Sequence, residues 1–428
     1  MMQDAKRIRF SLIILCFFLV TGCVRLTMSW ADLTPDRPEA TPEVLAAFDD
    51  QGRVLTTADW QERVPALRQA FQEHVYGILP DESGARIVDR RLVADDLLEG
   101  RARLEELTVE VSARFGEVPE RAATFKLLLA TPNAVKGSSP LILMETFCPN
   151  HNTIPHEGVS RPDTGGGCDG EGPMAMAVTY VFGRYIATPP LAEIFDRGYA
   201  LATFYPSEFV PDQAGAGLSA LRRFSDGHSD DETRWGAVAA WGWGFSRALD
   251  VLAQEPTVDM ARVIAYGHSR YGKAALFAAA FDERIAGVIA HQSGTGGAAL
   301  SRDKAGESVG EITDAYPHWF ARQYAAYAGQ EEKLPVDQHQ LLALIAPRPM
   351  LLGNARRDVW SDPEGTFVAA QGAHPVYDLL GTSGLQQTDL KAFIPDATLS
   401  FHIRPGTHGV TEDDWPAFFD FLEAHFRE

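Results

Sequence analysis

Cysteine is scarce, with four residues in a chain of 428, and none stands with histidine at a spacing that would ligate zinc. Basic side chains are also few. The 38 Lys and Arg face 58 Asp and Glu, for a formal net charge of −20. Such a balance repels phosphate backbones and argues against a general nucleic-acid binder. It leaves room for one local basic pocket that could hold a single carboxylate. Internal repeats and low-complexity segments are missing. So are long hydrophobic runs, except for one apolar stretch from Phe10 to Val20 that is too short to span a bilayer comfortably.

That stretch follows Lys6, Arg7 and Arg9 and reads as the core of a signal peptide, residues 1–22. It ends in Leu19-Val20-Thr21-Gly22-Cys23, which resembles a bacterial lipobox with Cys23 as the lipidated first residue. Ordinary cleavage near Ser29-Trp30-Ala31 is the alternative. Export to an outer-membrane or periplasmic site, or secretion, is the expectation, with membrane contact only through the anchor. Cys148 and Cys168 would then sit in an oxidising compartment, as a disulfide or as two buried thiols.

Residues 23–40 are polar and Pro-containing and read as a tether, and residues 41–428 as one catalytic domain with insertions. Asp59–Gly77 has helical periodicity. Leu104–Phe115, Thr124–Ala130, Leu141–Phe147, Tyr199–Tyr205, Arg262–Gly267, Ile285–His291, Pro349–Asn354 and Leu399–Ile403 read as strands. Between and after the later ones, Trp235–Leu252, Tyr271–Phe281, Gln338–Ile345 and Trp415–Phe426 read as helices. Strands apolar along their whole length, alternating with helices, predict an α/β fold: a mainly parallel sheet covered on both faces. Pro149–Gly172 and Gly294–Gly329 read as loops or insertions over the sheet, where sites are usually shaped.

The sharpest local signal is Gly267-His268-Ser269-Arg270-Tyr271-Gly272-Lys273, where a β run enters a small-residue turn and an Ala-rich helix leaves it. A tight strand-to-helix turn exposes the serine Oγ, and the helix N-terminus offers N–H groups to an oxyanion. The second glycine lies one residue later than in Gly-x-Ser-x-Gly, and a serine at such a turn can be only a helix cap. A base and an acid should follow at the carboxyl ends of later strands. His408, in Gly406-Thr407-His408-Gly409, is the base expected. Asp358 is the favoured acid, because Asp362 before Pro363 is the natural cap of the next helix and Glu364 a first-turn carboxylate.

The elbow, Gln292-Ser293-Gly294-Thr295-Gly296-Gly297, Tyr316-Pro317-His318-Trp319-Phe320, Ala346-Pro347-Arg348-Pro349 and Gly406-Thr407-His408-Gly409 together resemble the glucuronoyl esterases, carbohydrate esterase family fifteen, in their bacterial form. The likeness runs in order from about Leu141 to the C-terminus and implies an α/β-hydrolase fold. It also implies Ser269 as nucleophile, His408 as base and Arg270 as oxyanion partner through its N–H and guanidinium. Lys273 and Glu307 would meet sugar hydroxyls, and Trp360 would border the uronate. One departure stands out. Where fungal members carry a catalytic glutamate this chain has Gln292, which cannot be an anionic partner for histidine, and this strengthens the case for Asp358.

The implied activity is hydrolysis of (4-O-methyl-)glucuronic acid esters, as in lignin–carbohydrate links of glucuronoxylan, by a monomer needing no metal or organic cofactor. An acetyl-xylan or general carboxylesterase shares the triad without needing uronate contacts. A non-catalytic glycan-binding protein on the same fold would lack one of the three groups. His151 could rim the site, whereas His291, His318, His339, Trp235, Trp241 and Trp243 are expected to pack or cap.

Overall fold

In the computed structural model, residues 43, 44, 54, 56–117, 120–162, 181–225, 232–303 and 305–427 are described. They belong to one unit, Pro35–Glu428. Residues 1–22, read above as a signal peptide, Cys23 and the tether expected over 23–40 lie outside the described residues, as does Cys168. Cys148 is disulfide-bonded.

In chain order the elements that matter here begin with α1 (Thr57–Phe71), β1 (Glu82–Asp96), β2 (Ala102–Arg114), β3 (Arg121–Pro132), β4 (Ser139–Glu145) and β5 (Ala200–Phe204). Next come α2 (Ala214–Ser225), α3 (Ala237–Leu252), β6 (Val258–His268), α4 (Arg270–Phe281) and β7 (Gly287–His291). The last are α5 (Val309–Ala315), α6 (Gln338–Ala343), β8 (Met350–Ala355), α7 (Pro363–Leu379), β9 (Leu399–Arg404) and α8 (Asp414–Phe426).

The nine strands form one sheet in the order β1-β2-β3-β5-β4-β6-β7-β8-β9. From β5 to β9 all neighbours are parallel, while β1, β2, β3 and β5 pair antiparallel. This is an α/β-hydrolase sheet. Its parallel strands β5 and β7 are buried at every position, as continuous apolar runs require. On one face Met144, Tyr266, Ile289 and Leu351 pack against Trp415, Phe418, Phe421 and Leu422 of α8. On the other, α3 and α4 lie close together. A Cβ at Gly242 would come within 2.6 Å of the Phe277 ring and 2.9 Å of the Ala274 carbonyl oxygen.

The sequence pattern gives no strand before Leu104, yet β1 runs for 15 residues. It is an edge strand, exposed over most of its length, so no apolar alternation marks it. Within the insertion 294–329 the chain forms α5, whose capping box joins Ser308 and Glu311.

The parallel register places the site. His268 of β6 lies opposite His291 of β7, His291 opposite Gly353 of β8, and Ala355 opposite Arg404 of β9. Whatever follows these strand ends emerges along one rim of the sheet, so Ser269, Gln292, Asp358 and His408 leave on the same side.

Candidate active site

Ser269 sits between β6 and α4 with φ 56° and ψ −125°, a strained conformation for a residue with a side chain. Its N–H donates to the His291 carbonyl (2.8 Å), and its hydroxyl makes no capping bond to the helix it precedes. The bland alternative, a serine spent as a cap, is therefore not what the turn contains. Position 267 has room only for glycine. A Cβ there would lie 1.9 Å from the Tyr271 carbonyl oxygen, so the first turn of α4 folds directly onto it. Tyr271 is buried, 4.8 Å from the Phe147 ring and 5.3 Å from Trp241. The second glycine falls at 272, where a Cβ would press on Ser293 and the His291 carbonyl.

His408 follows β9, and its Nδ1 is 2.7 Å from Asp358 Oδ2. Its ring lies 4.7 Å from that of His268, the residue before the serine. Asp358 is 4% exposed and also accepts from the Ser361 N–H. Burial alone would raise its pKa, but the hydrogen bond and charge of His408, with Ser361, bring it below the usual carboxylate value. Asp362 is committed elsewhere, accepting from the Gly365 N–H (2.9 Å) at the start of α7.

Arg270 stands at the first helical position. Its guanidinium lies between the rings of Phe147 (5.1 Å) and Trp319 (5.3 Å), and Nη1 pairs with Asp212 Oδ2 at 2.8 Å. Asp212 also receives His318 Nε2 (3.0 Å) and Trp319 Nε1 (2.8 Å). Despite burial, these contacts with His318, Arg270 and Trp319 lower the Asp212 pKa. The sequence reading missed Asp212, which resembles an ordinary residue ahead of α2. Its only signal is the company it keeps in space.

Lys273 is 4% exposed, and Nζ donates to the carbonyls of Ser293 and Thr295 while lying 5.9 Å from the Trp319 ring. Glu307 is buried to the same degree. Its N–H donates to the Trp360 carbonyl (3.0 Å), and its own carbonyl accepts from Thr295 Oγ1. Trp360 is 55% exposed at the rim. Glycine at 306 permits this junction, because a Cβ there would meet the Trp360 carbonyl oxygen at 2.5 Å.

Below the rim lies a buried polar chain. His268 Nδ1 is 3.1 Å from His291 Nδ1, His291 Nε2 is 3.1 Å from Asp414 Oδ1, and Arg404 Nε donates to Asp414 at 2.7 Å. Burial, reinforced by the neighbouring positive groups, pushes the His268 pKa well below the ordinary value. His151 is buried in the short helix after Pro149, and Trp235, Trp241 and Trp243 are buried packing residues. Among the described residues, no cluster of His, Cys, Asp and Glu is arranged to hold a metal ion.

A serine on a strained elbow and a histidine–aspartate pair leaving the same rim of an α/β-hydrolase sheet define the class: an esterase-type serine hydrolase. The family model described as "Glucuronyl esterase, fungi" matches residues 169–381. "Carbohydrate esterase MZ0003", from an unknown prokaryotic organism, is 34% identical over 399 residues, covering 90% of this chain and 89% of that protein. A "Glucuronoyl Esterase from Solibacter usitatus" of known structure superposes with a TM-score of 0.76 at 32% identity, over 91% of this chain and 99% of the other. A "promiscuous CE15 esterase from the marine bacterial metagenome" gives 0.78 at 33% identity, over 91% and 98%. The chain belongs to the glucuronoyl esterases of carbohydrate esterase family fifteen, and it is an esterase.

Proposed function

We propose that this chain hydrolyses esters of (4-O-methyl-)glucuronic acid through an acyl-enzyme. The observation that carries the reading is the 2.7 Å bond from His408 to Asp358, on the rim where Ser269 is held on its strained turn. Ser269 Oγ attacks the C6 carbonyl, and His408 takes the proton at Nε2, since Nδ1 faces Asp358. Asp358 fixes that tautomer and stabilises the imidazolium. The oxyanion forms against the free N–H groups at the start of α4 and the clamped Arg270. His408 returns the proton to the departing alcohol, and water, activated in the same way, then cleaves the acyl-enzyme.

Lys273, Glu307 and Trp360 are assigned to the sugar. The native substrate class supported by the family is the ester between glucuronoxylan and a lignin alcohol, met by an exported protein anchored through Cys23. Likeness to a CE15 esterase described as promiscuous favours a second reading, a broader carboxylesterase. Assays of methyl glucuronate and p-nitrophenyl acetate, each with Ser269→Ala as control, separate the two. A strong preference for acetate defeats the uronate reading, and an active Ser269→Ala variant defeats both.

A further inference from the structure

Gln292 is 1% exposed and leaves β7 with φ 49°, so it too holds a conformation costly for a residue with a side chain. Its amide crosses to the loop after β9. Oε1 accepts from the Gly409 N–H at 2.8 Å, and Nε2 donates to the Thr407 carbonyl at 3.4 Å. These are the peptide groups on either side of His408. The Gln292 backbone is fixed as well, its N–H donating to the Gly353 carbonyl at 2.8 Å. Ser361 Oγ donates to the Gln292 carbonyl (3.4 Å) and lies 3.4 Å from His408 Nδ1. One residue thus ties the ends of three strands to the imidazole.

We infer that Gln292 is a positioning residue for His408, and that the position requires an amide. One of its two contacts is accepted and the other donated, which the Gln amide does without a change of protonation and an ionised carboxylate cannot do. A carboxylate would keep the bond from Gly409 but set lone pairs against the Thr407 carbonyl. The loop does not depend on Gln292 for its fold. Arg404, itself held by Asp414, donates independently to the carbonyls of Thr407 (3.3 Å) and Gly409 (2.7 Å). Loss of the amide therefore shifts the imidazole and leaves the loop in place.

The inference rests on His408 being the base, and the test separates the two ideas. Gln292→Ala, Gln292→Glu, His408→Ala, Asp358→Asn and the double variant Asp358→Asn/Gln292→Glu are assayed as full chains on a benzyl glucuronate ester. Expected is a fall in kcat of about tenfold to a hundredfold for both single Gln292 variants, the scale of a displaced catalytic group. KM should stay within about twofold, because the amide touches no substrate. The double variant should be no more active than Asp358→Asn. Unchanged kcat in either Gln292 variant overturns the proposal. So does recovery of activity in the double variant, which would make the position a second seat for the acid. Failure of both single variants to fold would reduce Gln292 to a scaffold residue and also overturn it. An active His408→Ala would instead defeat the underlying reading.

Discussion

Replacing Asp358 by Asn keeps the shape of the site and changes one thing, the partner of His408 Nδ1. Asp358 is 4% exposed and its carboxylate lies 2.7 Å from the ring, so no water can take its place. An amide there can present its N–H₂ to Nδ1 and hold the imidazole in the wrong tautomer, with Nε2 protonated and unable to receive the Ser269 proton. It also removes the charge that stabilises the imidazolium. The expected loss in kcat is about 10⁴-fold, equivalent to about 5.5 kcal/mol of transition-state stabilisation. Asp362→Ala is the natural comparison. That carboxylate caps α7 through Gly365, and its loss should cost about 1 kcal/mol of stability with little change in kcat. Steady-state kinetics on a benzyl glucuronate ester, paired with urea unfolding, reads both quantities. If Asp358→Asn keeps more than about a tenth of wild-type kcat, or Asp362→Ala loses as much as Asp358→Asn, the assignment of the acid is wrong.

Asp212→Ala should lower kcat by about 10²-fold with a smaller change in KM, because it releases the Arg270 guanidinium from its clamp; an unchanged kcat would remove Arg270 from oxyanion duty. Glu145 is buried with both carboxyl oxygens lacking a hydrogen-bond partner among the described residues, and burial pushes its pKa well up. Its neutral form is favoured in the fold, so stability is lost as pH rises above the ordinary carboxylate value, and Glu145→Gln should stabilise the protein at neutral pH by about 1–3 kcal/mol in urea unfolding. His402 is pushed down to about 4, mainly by burial, from an ordinary 6.5. The unfolded ring takes up a proton that the folded one refuses, so stability is present above pH 6.5 and falls toward pH 4, by about 3 kcal/mol for this residue. His402→Asn should flatten that slope. Metabolic labelling with palmitate should mark the wild-type chain and vanish in Cys23→Ala if the lipid anchor exists.

Much of the fold was legible because its central strands are buried on both faces and therefore spelled in unbroken apolar residues, as in Ile285–His291. β1 was not, because an exposed edge strand carries no such spelling. The elbow was readable from small residues around Ser269, although Gly272 falls one residue later than the general motif and its close approach to Ser293 and the His291 carbonyl shows only in the structure. Asp358 could be preferred over Asp362 from capping logic together with the family resemblance at Gln292, and the structure places its carboxylate 2.7 Å from His408 Nδ1. The contacts of Asp212 and Gln292 could not have been read. They span 58 residues to Arg270 and 117 to Gly409, separations at which local sequence holds no record of a contact.

The junction between Glu307 and Trp360 bears on how such proteins can be recombined. The two segments share a hydrogen bond and a glycine-sized gap, so neither has a shape of its own to export. A chimera that imports only one of them from a relative would arrive with a mismatched seam. Exchange of this part of the rim between members of this group should succeed when residues 303–308 and 356–362 travel as a pair.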